Sequence, residues 1–275
     1  MTANAAIVIG ATGGIGAAVV KVLEASGQYD RIIGLSRTSN PRIDLLDEET
    51  IETAARWAGE QTDRNGLIVD ATGALTIRAR KPEKSLRELD PQALADAFAI
   101  NAIGPALLMK HYLPLLPKDG KSVFATLSAR VGSISDNRLG GWYGYRASKA
   151  ALNMLIRNYA IEQARVSAEF ICAGLHPGTV RTALSEPFSR NVPESRLFTP
   201  DHAAACLASV ISGLTPEMVA ENNDDAVWLL PGFEPGPAAA GVAGTVQGGA
   251  RPYPMIPQIG LLHAALGSEL TDFLK

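Results

Sequence analysis

The sequence predicts an α/β protein built on a doubly wound parallel sheet of about seven strands with helices on both faces. Three observations carry this expectation. Short, largely apolar runs alternate with longer segments of helical periodicity from Ala5 to about Pro231. Strands apolar along their whole length are buried on both faces, which calls for a helix layer on each side of a parallel sheet. A glycine-rich turn, Gly10–Gly16, joins the first strand to the first helix, the position at which such sheets hold ligands.

Ala5–Ile9 is apolar at every position and ends in glycine. Gly14–Ala25 then places Ile15, Val19, Val22 and Leu23 on one helical face. Arg31–Leu35 reads as the second strand, Glu48–Gly59 as a helix, and Leu67–Asp70 as a further strand, with Arg42–Asp44 a short one before it. Ala93–Leu116 is a long helix with a kink near Pro105. Ser122–Leu127 reads as a strand, Tyr143–Arg165 as a helix, Glu169–Leu175 as a strand, and Pro200–Gly213 as a helix with Thr199 as its N-cap. Ala226–Leu230 supplies a last strand. One domain thus spans residues 1–231. Residues 232–275 are dense in Pro, Gly and Ala and end in an amphipathic run carrying Leu262, Leu266 and Leu270.

Composition narrows the function. The 275 residues carry a net charge of −3, so no basic excess points to nucleic acid. Cys172 and Cys206, the two cysteines, exclude a disulfide-built scaffold and fit a reducing, cytoplasmic setting. The start lacks the pattern of a signal peptide, and no membrane span is expected. No His/Cys/Asp cluster has metal-ligand spacing, so no metal is expected.

In the turn, Gly10, Thr12, Gly13, Gly14, Ile15 and Gly16 lead into a helix N-terminus. Glycine lets the backbone approach a pyrophosphate without a Cβ in the way, and the helix adds free N–H groups and its dipole. The plain alternative is a glycine-rich βα turn without a ligand. The end of the second strand reads Leu35-Ser36-Arg37-Thr38. It has no acid to meet a ribose hydroxyl, whereas Ser36 and Arg37 suit a 2′-phosphate, so NADP(H) is preferred over NAD(H).

Tyr145 and Lys149 stand at i and i+4, on one helix face. An ammonium and a cationic nicotinamide beside a phenol favour its phenolate, which suits acid/base work on a carbonyl or alcohol.

Together with the glycine turn, this pair resembles the short-chain dehydrogenase/reductase family. Gly10, Gly14 and Gly16 fit its GxxxGxG turn, and Tyr145 and Lys149 its YxxxK pair. Residues 130–134 and 145–153 look most like C-factor-type reductases and the insect carbonyl reductase sniffer. The resemblance implies a Rossmann-type fold and further roles. Asn101 would hold a relay water, Asp44-Leu45 would meet the adenine, and Ala71, Thr72 and Gly73 would line the cofactor. Pro177, Gly178, Val180 and Thr182 match the stretch that reaches the carboxamide. It also implies a homodimer or homotetramer formed through the helices of residues 93–116 and 143–165.

Two departures stand out. Asp70-Ala71-Thr72-Gly73 replaces the family's Asn-Asn-Ala-Gly, and Ala129 occupies the position of its substrate-binding serine. Ser128 is the first candidate replacement and Ser133 the next, with Ser135 behind it. Residues 183–200 read as a substrate lid, where Leu184, Phe188 and Phe198 would face Trp142 and Tyr143. His176 and Cys172 read as structural rather than catalytic. The resulting expectation is an NADP(H)-dependent oxidoreductase that interconverts a carbonyl and an alcohol. The alternatives are an NADP(H)-binding protein with a signalling or other non-redox role, and a lyase or epimerase that reuses Tyr145 and Lys149.

Overall fold

The computed structural model describes residues 4–62, 64–190, 192–221 and 227–229. The chain divides into two units, Met1–Phe233 and Glu234–Lys275. The extension expected over residues 232–275 lies outside the described residues.

The first half runs β1 (Asn4–Ile9), α1 (Gly14–Ser26), β2 (Arg31–Leu35), α2 (Glu48–Glu60), β3 (Arg64–Asp70), α3 (Pro91–Phe98) and α4 (Gly104–Tyr112). The second runs β4 (Ser122–Leu127), α5 (Tyr143–Ala164), β5 (Phe170–His176), β6 (Thr179–Val180), β7 (Leu197–Phe198), α6 (Pro200–Gly213), α7 (Pro216–Glu221) and β8 (Val227–Leu229). Among the described residues the main sheet has six strands in the order β2-β1-β3-β4-β5-β8, and every pairing is parallel. The chain leaves β1 for β2 on one side and returns to β3 on the other. This reversal opens a crevice at the carboxyl ends of β1 and β3.

Each strand buries both faces. Along β1, Ala6 and Val8 pack with Val19 and Leu23 of α1 and Leu207 and Val210 of α6. Ile7 and Ile9 point the other way, toward Ile51 of α2, Leu108 and Tyr112 of α4, and Leu152 and Ile156 of α5. This is why the strands read as continuous apolar runs. Cys172 belongs to the second layer, where burial pushes its thiol up to about 12 and leaves it inert.

One expectation needs correction. Arg42–Asp44 is not a strand, so among the described residues the sheet has six strands where about seven were expected. Pro41 has no N–H to offer, and the segment contributes Ile43 N–H to Ser36 O at 2.8 Å and a lone bridge from Asp44 to Asp47. The long helix expected over 93–116 is interrupted near Pro105, where Ala99–Ile103 forms a π-helical turn just before it. Pro105 has no N–H to return to that preceding turn, which favours a break in the regular ladder there. The run Pro91–Leu115 has the length and mean hydropathy, 1.3, of a membrane span. Its Leu108, Met109 and Tyr112 are fully buried against the sheet, which accounts for that hydropathy.

Leu108→Ala removes a side chain with no solvent exposure and should cost about 2–5 kcal/mol. Urea unfolding should show a lower midpoint at an unchanged slope.

Candidate active site

The glycine turn is shaped by crowding. Gly10 leaves β1 at φ +84°, and a Cβ there would lie 3.0 Å from the Ala71 carbonyl. A Cβ on Gly16 would run into the Gly10 carbonyl oxygen, and one on Gly14 would stand 2.7 Å from Thr182 Cγ2. The N–H groups of Gly10 and Ala11 both reach Leu35 O, at 2.8 and 3.0 Å. Thr12, Gly13 and Gly14 are exposed, while Ile15 packs inward. Helix α1 has Gly13 as its N-cap, so it carries no side-chain cap, and it has no acid in its first turn. Its N–H groups and dipole therefore face a bare cradle, which fits the pyrophosphate of a dinucleotide.

Beside the cradle, Ser36 is buried and its hydroxyl lies 3.1 Å from that of Thr38. Arg37 is exposed, with no carboxylate partner among the described residues. The Ile43–Ser36 bond brings Asp44 and Leu45 to this corner. Asp44 Oδ1 accepts the Leu46 N–H at 3.1 Å, while Leu45 packs on Gly104. Thr182, resting on Gly14, brings the stretch through Pro177, Gly178 and Val180 over the opposite rim.

At the ends of β3 and β4 the structure gathers Gly73, Asn101 and Lys149. A Cβ on Gly73, at φ +140°, would lie 3.3 Å from Asn101 Oδ1 and 3.5 Å from Lys149 Nζ. Asn101 sits in the π turn, fully buried. It accepts the Ala74 N–H at 2.9 Å and donates to Ala74 O at 2.8 Å, so its amide is locked in one orientation. Such turns insert one residue into a helix and re-aim its side chains. Lys149 is also buried and donates to Leu127 O at 2.8 Å. Gly132 makes this approach possible, since a Cβ there would lie 2.9 Å from the Lys149 carbonyl carbon.

The titration of the Tyr145–Lys149 pair differs from the sequence expectation. Desolvation pushes the Tyr145 phenol up to about 12 rather than down. Desolvation also brings the Lys149 ammonium down to about 8, with Asp70 opposing it. His176 falls to about 4 through desolvation and then the nearby Arg130 and Lys149 charges, so it is neutral at pH 7.

The serines part company. Ser128 is buried and donates to Asn153 Oδ1 at 2.6 Å, one turn beyond Lys149 on α5. Its proton is spent on the helix body, and the adjacent Ala129 has none to offer. Ser133 follows Gly132 on the loop over Lys149, with its hydroxyl 3.3 Å from that of Ser135. An Arg130–Asp136 ion pair braces this loop.

Sequence reasoning missed Glu83. Gly140, Gly141 and Trp142 adopt φ of 62°, 67° and 51°, three left-handed residues in succession before α5. For tryptophan this backbone costs about 1–3 kcal/mol. It is held by Glu83, whose carbonyl accepts the Trp142 N–H at 2.5 Å and whose buried carboxylate accepts the Gly144 N–H at 3.2 Å. Glu83 thus caps, from a distant loop, a helix that has no side-chain cap of its own. Nothing local marked it, because it lies among alternating charges, Lys81-Pro82-Glu83-Lys84. The Trp142 ring in turn makes edge contacts with Tyr145, at 6.3 Å, and with Phe188 of the expected lid, at 5.4 Å. Phe198 does not join that wall. It fills the space beside Gly178, where a Cβ would lie 2.7 Å from its ring, and it contacts His202.

Residues 10–222 match the family model described as enoyl-(acyl carrier protein) reductase. The chain belongs to the short-chain dehydrogenase/reductase family. It is an NAD(P)-dependent oxidoreductase of that family's type. It is 30% identical over 220 residues to 1-hydroxy-2-glutathionyl-2-methyl-3-butene dehydrogenase of Rhodococcus sp. (strain AD45), covering 77% of this chain and 92% of the relative. It is 36% identical over 133 residues to C-signal of Myxococcus xanthus, covering 48% of this chain and 75% of the relative. Among solved structures, the NADPH-bound carbonyl reductase from chicken fatty liver aligns with a TM-score of 0.69 at 22% identity. That alignment covers 83% of this chain and 92% of the other. Carbonyl reductase Sniffer of D. melanogaster aligns at 0.67 and 21% identity, covering 83% and 97%. At these identities the structures speak for the fold alone.

Glu83→Ala strands the Gly144 N–H and should lower stability by about 1–3 kcal/mol in chemical denaturation. Glu83→Gln, which keeps an acceptor, should lose less than half of that.

Proposed function

We propose that the protein is an NADP(H)-dependent carbonyl reductase with Tyr145 as its proton donor. The observation that carries this is the convergence of Lys149 and the locked Asn101 on Gly73, with Tyr145 one turn from Lys149 and the glycine cradle on the next strand. When bound, the nicotinamide supplies the hydride for the carbonyl carbon. The other steps belong to the chain. A phenol held near 12 stays protonated at neutral pH, which suits a donor to the oxygen of a carbonyl being reduced. Lys149, near 8, is the nearby group from which that proton is replaced, and Asn101 holds the Ala74 backbone and a relay water in place. Ser133, rather than Ser128, polarises the carbonyl oxygen, because the Ser128 hydroxyl is engaged with Asn153. Exposed Ile103 on the π turn before α4, with Met154 and Ile161 on α5, supports association of copies through this helix run and α5.

The deciding experiment is NADPH consumption across a panel of aldehydes, ketones and diketones, with Tyr145→Phe alongside. Turnover should appear with at least one carbonyl and fall by at least about 10²-fold in the variant, with NADPH binding retained. Binding without turnover would instead favour the non-redox reading, which the alanine at position 129 supports.

Cofactor choice rests on Arg37. Arg37→Ala should raise the KM for NADPH about tenfold and leave that for NADH nearly unchanged, since a guanidinium–phosphate contact has no counterpart in NADH. Equal effects on the two cofactors would remove the basis for NADP(H) preference.

A further inference from the structure

The carboxylate of Asp70 has no role in the reading above, yet it is fully buried at the end of β3, in the layer that holds Lys149. Oδ1 accepts the Thr72 N–H at 2.9 Å and the Thr72 hydroxyl at 2.5 Å, and Oδ2 accepts the Thr126 hydroxyl at 2.6 Å. Three donors aimed at one carboxyl group are the environment of an acceptor-only anion. Thr126 precedes Leu127, whose carbonyl receives the Lys149 Nζ at 2.8 Å. Asp70 also opens the turn to Gly73, whose Cβ position lies 3.5 Å from the same nitrogen. A carboxylate and an ammonium, both out of water, therefore bond to consecutive residues, Thr126 and Leu127, at the end of β4. A buried charge is tolerated when an opposite charge stands nearby, and removing one partner leaves the other uncompensated.

We propose that Asp70 is the counter-charge of Lys149, a positioning residue that keeps the buried ammonium charged beside Tyr145. The catalytic consequence rests on the reductase reading, but the electrostatic pairing does not. The other ionisable groups around Lys149 are Tyr145 on its own helix, Arg130 and its ion-pair partner Asp136 on the loop after β4, and His176 at the end of β5. Arg130 is permanently cationic, and His176 is neutral above about pH 5. The Arg130 and Asp136 charges compensate each other, which leaves Asp70 as the carboxylate that offsets the Lys149 charge.

The sign of the effect follows from proton counting. Lys149 is held near 8 in the folded protein against 10.5 in an ordinary lysine, so burying its charge destabilises the fold at low pH. That penalty relaxes as pH rises above about 8, where the folded protein gives up the proton and the unfolded chain keeps it. Removing Asp70 enlarges the penalty and moves its relaxation to lower pH.

Asp70→Asn tests this, because its oxygen can still accept from Thr72 and its amide can donate to Thr126. Melting temperatures of the cofactor-free parent and variant are compared from pH 6 to pH 9. The variant should fall below the parent by an additional ~2–4 °C at pH 6, and this extra gap should close as pH passes 8. In a Lys149→Met background the same substitution should give a gap without pH dependence. A pH-independent gap in the native background would overturn the proposal and leave Asp70 a hydrogen-bonding residue only. If Asp70→Asn does not fold, Lys149→Met is compared with the double variant at pH 7. The double variant should melt higher, because it no longer buries a lone carboxylate, and a lower or equal value would overturn the pairing. In activity, the basic limb of kcat/KM should move about one unit toward lower pH in Asp70→Asn, a loss of up to about tenfold at pH 9. If no carbonyl is turned over, the reductase reading fails while the melting series still decides the pairing.

Discussion

The bond from Lys149 Nζ to Leu127 O is the constraint around which this site is organised. A lysine can reach the last carbonyl of β4 only if α5 lies against the end of the sheet, and that approach leaves no room for a side chain at residue 132. The loop carrying Ser133 is thereby pressed onto the helix, and Tyr145 is set one turn above the lysine. The same closeness removes water from both groups, so the phenol is driven toward its neutral form and the amine loses proton affinity. Geometry and titration are two results of one packing decision.

The backbone that enters α5, just ahead of Lys149, bears the cost of that placement. A helix entered through three left-handed residues, the last a tryptophan, would fray without external support. Glu83 provides it by taking up the Gly144 and Trp142 N–H groups. Helix α5 is thus anchored at its mouth by the loop after β3 and in its body by the end of β4. The π turn serves the same economy on the neighbouring helix run, turning Asn101 inward so that its amide closes on Ala74.

What the sequence made legible depended on whether the signal was local. Strands β1 and β4 announced themselves because burial on both faces leaves an uninterrupted apolar run. Gly10, Gly14 and Gly16 were readable because each stands where a Cβ would collide, and Tyr145 and Lys149 because helical spacing is fixed. The rest depended on contacts distant in the chain. Ser128 looked available until Asn153, 25 residues later, claimed its hydroxyl. Glu83 lies 61 residues from the N–H it caps, and no periodicity links the two. Arg42–Asp44 had strand-like residues but followed a proline. The π turn left no compositional trace, since Ala99–Ile103 would suit an α-helix equally well.

The excursion between β6 and β7 carries one more consequence. Its two stems are joined by strand pairing, by the Arg181 N–H to Phe198 O bond at 2.9 Å, and by an Arg181–Glu194 ion pair. Phe198 is wedged against Gly178 below them. An excursion pinned in this way is tied twice, at its roots by these contacts and further along by the ring of Phe188 set edge-on to Trp142 at 5.4 Å. Thr182, which rests on the glycine cradle, belongs to the roots. One stretch of chain thereby touches both the glycine turn, through Thr182 on Gly14, and the entrance of α5, through Phe188 on Trp142, so a shift at either place is felt at the other.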